Sequence, residues 1–460
     1  MTAPSWTVRA LRAALAAGTT SPSRLAESAL ANANRNASHN TYLWQDPAWT
    51  RAEAARAESM ERSTGGSFGD GRSALWGLPI SVKDCFDLAG SPTSCGVHFY
   101  RDLNGKAARD SWLIEQLRAA GAVIVGKTHL HPLAYGITGE NPEFGDCVQP
   151  GVPSDGSWSL GWKPRDAGAL TGGSSSGAAA SVQEGSAVAA IGTDTGGSIR
   201  APAALCGLVG YRATHGRGDW RGGAHLAESF DTMGWLFRDL EDAPFLAAPF
   251  LAARFAPAQT STARRFTSFA YVGDSFLHDC EPEVVAGFRG VIRELENLGL
   301  EARSIDTDWW AEAVDIFAPI QASEAAHLHA GNFDRVDFLE QEPAIRDRLK
   351  WGAGLTPAEV SALRRRHEAF RSRMDEVFAA HQLILLPSIP VSRLAAGADH
   401  SQTRLRLLRY TAPFSLAGTP TVAIPCARGG MQLAAARGND EALLALAAQI
   451  GANRKIPLAV

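Results

Sequence analysis

The residues best able to do chemistry lie in three short stretches: GLPISVKDCFD at 77–87, TGGSSSGAAA at 171–180 and GTDTGGSIR at 192–200. In the last of these, Gly192, Gly196 and Gly197 bracket Thr193, Asp194 and Thr195 just before Ser198. Glycine lacks the Cβ atom that would stop a backbone from turning its N–H groups inward. Inward N–H groups of Thr195, Gly196, Gly197 and Ser198 would stabilise the charge that develops on a carbonyl oxygen as it becomes tetrahedral. Ser198 would then stand beside that pocket as the attacking hydroxyl. An ordinary glycine-rich turn uses the same residues, as does a phosphate cradle. The cradle needs a lysine after its last glycine, and none follows Gly197.

A serine hydroxyl needs a base, and nothing inside 192–200 supplies one. Ser174, Ser175 and Ser176 follow Gly172 and Gly173 and precede a run of small helix formers, Ala178 to Val182. A hydroxyl both donates and accepts, so one of these serines can relay the proton to a more distant base. Lys83 is the candidate. It follows the apolar segment Leu78 to Val82, which reads as a strand ending in the interior, where burial can leave an amine neutral near neutral pH. The competing reading is a surface salt bridge of Lys83 with Asp84 or Asp87. A second rival takes GGSSSG as a GxSxG elbow with Ser175 as nucleophile, but DAGALTG in front of it does not read as the strand such an elbow requires. Exchange of Ser198 separates these two enzyme readings.

GGSSSG followed by GTDTGGSIRAPAALCGLVG closely resembles the signature of the amidase signature family, serine hydrolases with a Ser–Ser–Lys triad. The resemblance implies that Ser198 is the nucleophile, Ser174 the bridging serine on a cis peptide bond, and Lys83 the base. It implies supporting roles for Asp194 and Arg200, and a hydrogen bond of Ser175 near the lysine. SRLAESALANANRNA at 23–37, GAVIVGKTHLHPLAYGITGENPEFG at 121–145, LILLPSIPV at 383–391 and RYTAPFSLAGTPTVAIP at 409–425 extend the likeness over nearly the whole chain. GENPEFG and SFDTMGWLFRD at 229–239 resemble most the branch of indole-3-acetamide hydrolases and other small-amide hydrolases. The glutamine-hydrolysing A-type component of an amidotransferase and a non-catalytic amide-binding scaffold are the alternatives.

By that resemblance the substrate pocket takes Tyr135, Gly136, Ile137, Gly172, Gly173, Ile320, Gln321 and residues near Phe414. These side chains are mostly apolar or uncharged, which points to aryl or alkyl amides, with carbamates and esters, over charged amino-acid amides. Departures from the pattern are Pro132, His129 and His131, and a longer polar segment, residues 151–170, with Trp158 and Trp162. That segment reads as a surface loop shaping the mouth of the site, or as a decoration without a role.

The elements that must position these residues alternate in kind. Strand-like runs at Ala122–Val125, Val188–Ile191, Ala270–Val272 and Leu383–Leu386 alternate with helical patterns, which argues for an α/β fold. The resemblance implies a large twisted mixed β-sheet sandwiched between helices. The expected organisation is one domain over 1–460, with a catalytic core at 77–215, a connector at 256–266 and a helical cap at 308–378. With 460 residues, 45% of them hydrophobic, there is material for a large core. The net charge of −4 and the lack of a basic stripe argue against nucleic acid as a partner. The apolar run at 244–256 is cut by Pro249 and Arg254, so no membrane span is expected, and the cytoplasm is the default. The expected partner is a small-molecule amide or carbamate, with the chain a monomer or homodimer.

Six scattered cysteines, at 85, 95, 147, 206, 280 and 426, read as free thiols. Cys85 lies near Lys83 but has no neighbouring histidine to activate it. His129 with His131, and His327 with His329, have the alternate spacing of strand ligands, but neither pair has a third ligand nearby, so no metal or cofactor is expected.

Overall fold

A computed structural model describes residues 5–64, 75–150, 167–246, 266–335 and 337–454. Among these, eleven strands form one sheet: β1 Tyr42–Trp44, β2 Pro79–Lys83, β3 Val123–Thr128, β4 Ala189–Asp194, β5 Val209–Arg212, β6 Thr232–Phe237, β7 Ser268–Val272, β8 Glu301–Ile305, β9 Leu383–Pro387, β10 Thr421–Pro425 and β11 Gly430–Ala435. Their order is β1-β3-β2-β4-β6-β5-β10-β11-β9-β7-β8. β2 runs parallel to both β3 and β4, whereas β6 runs antiparallel to both β4 and β5, so the sheet is mixed. Every residue of β2, β3, β4, β6, β9 and β11 is buried. Strands with no solvated face must be covered by helices on both sides, and this makes the fold an α/β sandwich. The four strand-like runs of the sequence correspond to β3, β4, β7 and β9.

β6 lies beyond residue 215 yet sits between β4 and β5, so the expected core at 77–215 is completed by Thr232–Phe237. Trp235 on β6 is among the largest fully buried side chains. At the far edge, β8 carries Glu301 and Arg303, paired at 2.7 Å and mostly exposed. Charges there discourage further strand pairing.

The helix Ser176–Glu184 is buried along its entire length because its residues are small or lie under other elements. At Gly177 a Cβ would sit 2.1 Å from the Thr41 carbonyl oxygen. The stretch expected to form a cap contains helices Ala313–His329, Pro343–Ala353 and Pro357–His381, the last opened by a capping box of Thr356 and Glu359. His327 and His329 therefore lie on a helix, where residues two apart diverge, and the strand spacing expected for them does not apply. RYTAPFSLAG falls within the helix Thr403–Ala417 and its C-cap, and only TVAIP forms a strand, β10. The connector at 256–265 and the 151–166 part of the polar segment, with Trp158 and Trp162, lie outside the described residues. Among the described residues no helix is long and apolar enough to cross a membrane.

Gly352 sits where helices Ala313–His329 and Pro343–Ala353 meet, and a Cβ there would lie 2.0 Å from the Ala322 carbonyl oxygen. Helix propensity alone makes Gly→Ala stabilising by about 1 kcal/mol; overpacking a tight contact costs about 1–3 kcal/mol. Gly352→Ala should therefore lower stability to urea, and a gain in stability would contradict the close helix approach.

Candidate active site

Parallel pairing of β2 with β4 brings the ends of both strands to one level, with Val82 opposite Ile191. Lys83 is the last residue of β2 and is fully buried. Its Nζ donates to Ser174 Oγ at 2.7 Å and to Thr193 Oγ1 at 2.7 Å. No carboxylate pairs with it among the described residues; Asp84 pairs instead with Lys127, at 2.6 Å. The surface-bridge reading of Lys83 is thus replaced by a buried amine between two hydroxyls. Burial pulls its pKa down to about 8, against the weaker opposing influence of Cys85, Asp231 and Asp194.

The Gly173–Ser174 peptide bond is cis. The backbone around it is held from several sides. Gly173 N–H donates to the Ile137 carbonyl at 2.8 Å, His131 N–H to the Ser174 carbonyl at 3.1 Å, and Ser175 N–H to the Ser198 carbonyl at 3.2 Å. The last bond joins the two serine-bearing loops directly. Gly172 has φ +80°, and a Cβ on Gly173 would sit 2.7 Å from the Gly139 nitrogen, so larger residues would not fit here. Ser175 Oγ donates to the Thr193 carbonyl at 3.2 Å. It is fully buried, and among the described residues no strand leads into it, so it has neither the setting nor the free hydroxyl of an elbow nucleophile.

Asp194 organises the turn after β4. Its carboxylate accepts from the N–H groups of Gly197 (2.8 Å), Ile199 (3.1 Å) and Arg200 (3.3 Å). It is also paired with Arg200 at 2.8 Å and Arg212 at 3.1 Å, all three groups fully buried. Burial would raise this carboxyl, but the two guanidinium groups outweigh it and hold it well below the usual carboxylate range. Gly197 was expected among the oxyanion donors; its N–H goes to Asp194 instead, and its φ of +116° is open only to glycine. The N–H groups of Thr195, Gly196 and Ser198 make no hydrogen bond within the described residues. Thr195 is fixed through its hydroxyl, 2.6 Å from Asp231 Oδ1.

Two helices close over this turn. A Cβ on Gly196 would meet Phe317 at 2.8 Å and Leu408 at 2.9 Å, and one on Gly197 would meet Thr411 at 2.7 Å. Thr411 Oγ1 donates to the Gly196 carbonyl at 2.6 Å. Arg200 reaches the same helix, donating to the Thr411 carbonyl (3.0 Å) and Ser415 Oγ (2.8 Å). Of the expected pocket residues, Tyr135, Ile137, Ile320 and Gln321 are all at most 4% exposed. A Cβ on Gly136 would sit 2.0 Å from His131 Nε2, so this glycine is what lets the imidazole pack there. Phe414, near which further pocket residues are expected, is itself fully buried against Trp310 and Phe378 and belongs to the core.

Thr193, Arg212, Phe317, Leu408 and Thr411 were not singled out from the sequence. Thr193 had a signal, a hydroxyl at the end of a strand beside a buried amine. The others depend on long-range packing. Arg348 and Arg404 were also missed; both lie over the Tyr135 ring, 4.4 and 5.8 Å from its centroid. All six cysteines are free, and burial pushes the Cys85 thiol up to about 12, the reverse of activation. Among the described residues no group of three or more His, Cys, Asp or Glu is placed to hold a metal ion.

The Amidase family model matches residues 24–444. An indoleacetamide hydrolase of Pseudomonas savastanoi is 30% identical over 464 residues, covering 95% of this chain and 94% of its own length. The A-type component of the glutamyl-tRNA(Gln) amidotransferase of Roseiflexus sp. (strain RS-1) is 30% identical over 436 residues, covering 85% and 86%. Among solved structures, a crystal structure of an amidase superposes with a TM-score of 0.81 at 28% identity, covering 97% of this chain and 99% of that one.

Replacing Asp194 by asparagine would leave the guanidinium groups of Arg200 and Arg212 buried without a counter-charge. Breaking a buried ion pair from one side costs about 3–5 kcal/mol. Asp194→Asn should show a loss of this order in denaturant unfolding. A loss below about 1 kcal/mol, the size of an exposed pair, would contradict the clamp.

Proposed function

This chain belongs to the amidase family, and from that premise we propose that it is a serine hydrolase of small aryl or alkyl amides, acting through an acyl-enzyme on Ser198. Cleavage of C–N amide bonds is the activity that the family membership carries. The observation that supports the finer reading is the buried Lys83 amine, 2.7 Å from Ser174 Oγ and brought down to about 8 by burial.

In this reading neutral Lys83 draws a proton through Ser174 while Ser198 attacks the carbonyl carbon. The oxyanion is received by the N–H groups of Thr195, Gly196 and Ser198, which have no other partner among the described residues. Thr193 holds the amine in line, and Ser175 ties the two serine loops together. As the tetrahedral intermediate collapses, the relayed proton passes to the leaving nitrogen. Water then cleaves the acyl-enzyme by the same relay in reverse, regenerating Ser198. Carbamates and esters present a carbonyl of the same geometry and are proposed as further substrates. Helix Ala313–His329, with Phe317 against Gly196, serves as the roof of the pocket. The 30% identity to the A-type component of an amidotransferase supports glutamine as a second candidate substrate.

A panel of a primary aryl amide, an anilide, an aryl carbamate and glutamine tests the substrate class; turnover of glutamine alone would favour the second reading. Ser198→Ala and Lys83→Ala should each lower kcat at least about 1,000-fold, and the double variant should be little worse than either alone, because the residues act as a unit. Full activity of Ser198→Ala would end the reading.

The protonated amine cannot accept a proton, so the active fraction grows as pH rises through the Lys83 pKa. With chemistry limiting, kcat/KM should rise with an inflection near about 8 and then level off. A profile flat over about pH 5–10 would exclude Lys83 as the base.

A further inference from the structure

Arg404 and Arg348 share one aromatic ring. Both are partly buried, and both lie over Tyr135, which is 1% exposed. Among the described residues neither makes an ion pair with a carboxylate. Arg404 donates to Gln321 Oε1 at 3.0 Å. Arg348 donates to the carbonyls of Ala344 (3.1 Å) and Tyr135 (2.8 Å). The remaining N–H donors of the two forks are unused by the described residues. Burial and the neighbouring Arg348 charge bring Arg404 down to about 10, and burial also lowers Arg348. Glu342 is the acid whose charge acts on Arg348, but burial and the Glu143 charge raise its own carboxyl to about 7. Two partly buried like charges on one ring, neither in an ion pair with a carboxylate among the described residues, favour an anion that bridges them.

Their position ties them to the reaction centre along three routes. On helix Thr403–Ala417, Arg404, Leu408 and Thr411 share one face, and the last two touch Gly196 and Gly197. Arg404 thus stands one helical turn, about 6 Å, from the residue against Gly196. On helix Ala313–His329, Phe317 touches Gly196 while Gln321, one turn on, holds Arg404. Tyr135 closes the turn that begins at His131, whose N–H is bonded to the Ser174 carbonyl. His131 is 8% exposed, its Nδ1 has no partner among the described residues, and it lies in the field of Arg348, Arg404 and Lys83.

We infer that Arg348 and Arg404, stacked on Tyr135, form an anion subsite that holds a carboxylate at the far end of the amide substrate. Two planar guanidinium forks match the two oxygens of a carboxylate. Arg404 stands one helical turn beyond Leu408, the residue against Gly196, an arrangement that suits a small molecule with an amide at one end and an acid at the other. This assignment rests on the reading of Ser198 and its neighbours as the reaction centre. It narrows the substrates from aryl and alkyl amides in general to those carrying a remote carboxylate.

The test uses 4-carbamoylbenzoate and adipamate, each beside its methyl ester, with binding to the Ser198→Ala protein measured by calorimetry and turnover by the full enzyme. The acids should bind about 10- to 100-fold more tightly than their esters, the range of charge-assisted hydrogen bonds. That preference should collapse in Arg404→Gln and Arg348→Gln and return in part in Arg404→Lys, which keeps the charge. Equal binding of acid and ester to the unaltered subsite would overturn the inference without any variant. So would inorganic phosphate displacing the acids at comparable concentration, since the subsite would then serve a free anion. Tight, acid-selective binding without turnover by the full enzyme would uphold the subsite and instead reject the proposed chemistry.

Discussion

One carboxylate holds the reaction centre in shape. Asp194 receives three N–H groups from its own turn and two guanidinium groups from elsewhere, all in the dry interior. Because Arg200 continues to Thr411, Ser415 and Gln432, that carboxylate joins β4, the turn at 195–199, helix Thr403–Ala417 and β11. Such a network is favourable only when complete, since any member left alone would be a buried charge. It explains why the Gly197 N–H turns toward Asp194 while its neighbours have no partner among the described residues. The amide that locks the turn cannot also serve a substrate.

The lysine follows the opposite electrostatic rule. Asp194 is kept charged by two cations, whereas Lys83 is deprived of a counter-ion and given two hydroxyls. With Asp84 engaged by Lys127, the acid next to Lys83 in sequence is removed from its surroundings. Desolvation then dominates and favours the neutral amine. Both groups are pushed toward the deprotonated form, one charged and one neutral, at the ends of neighbouring parallel strands by the choice of partners.

The chemistry-bearing stretches were legible in the sequence because they are local. Glycine runs, a serine cluster and an apolar segment ending in lysine each state a backbone requirement over a few residues. The sheet strands were legible for the same reason, as short apolar runs that become β3, β4, β7 and β9. What escaped was set by distance along the chain. Thr411 and Leu408 meet Gly196 and Gly197 from more than two hundred residues away, and nothing in TRLRLLRYTAPF marks which face will do so. Pocket residues were expected near Phe414, a residue that itself turns to Trp310 and Phe378. Helical phase decided between them, and phase requires knowing what the helix packs on. Arg348 and Arg404 escaped in the same way, because arginines on a charged helix read as solvated until their surroundings are known. The bond from Gly197 to Asp194 was missed because a glycine run specifies freedom of the backbone, not the direction each N–H takes.

Helix Thr403–Ala417 has a mechanical consequence. It carries Arg404 near its start, Leu408 and Thr411 against the oxyanion turn, and Ser415 against Arg200. Arg404, Leu408 and Thr411 all precede Pro413, and a helix is stiff along its axis, so these three contacts cannot drift independently and their spacing is set by helical pitch instead of loop slack. It therefore works as a fixed gauge: thermal motion or a distant substitution that slides this rod displaces both ends of the cleft together, leaving the measured length intact.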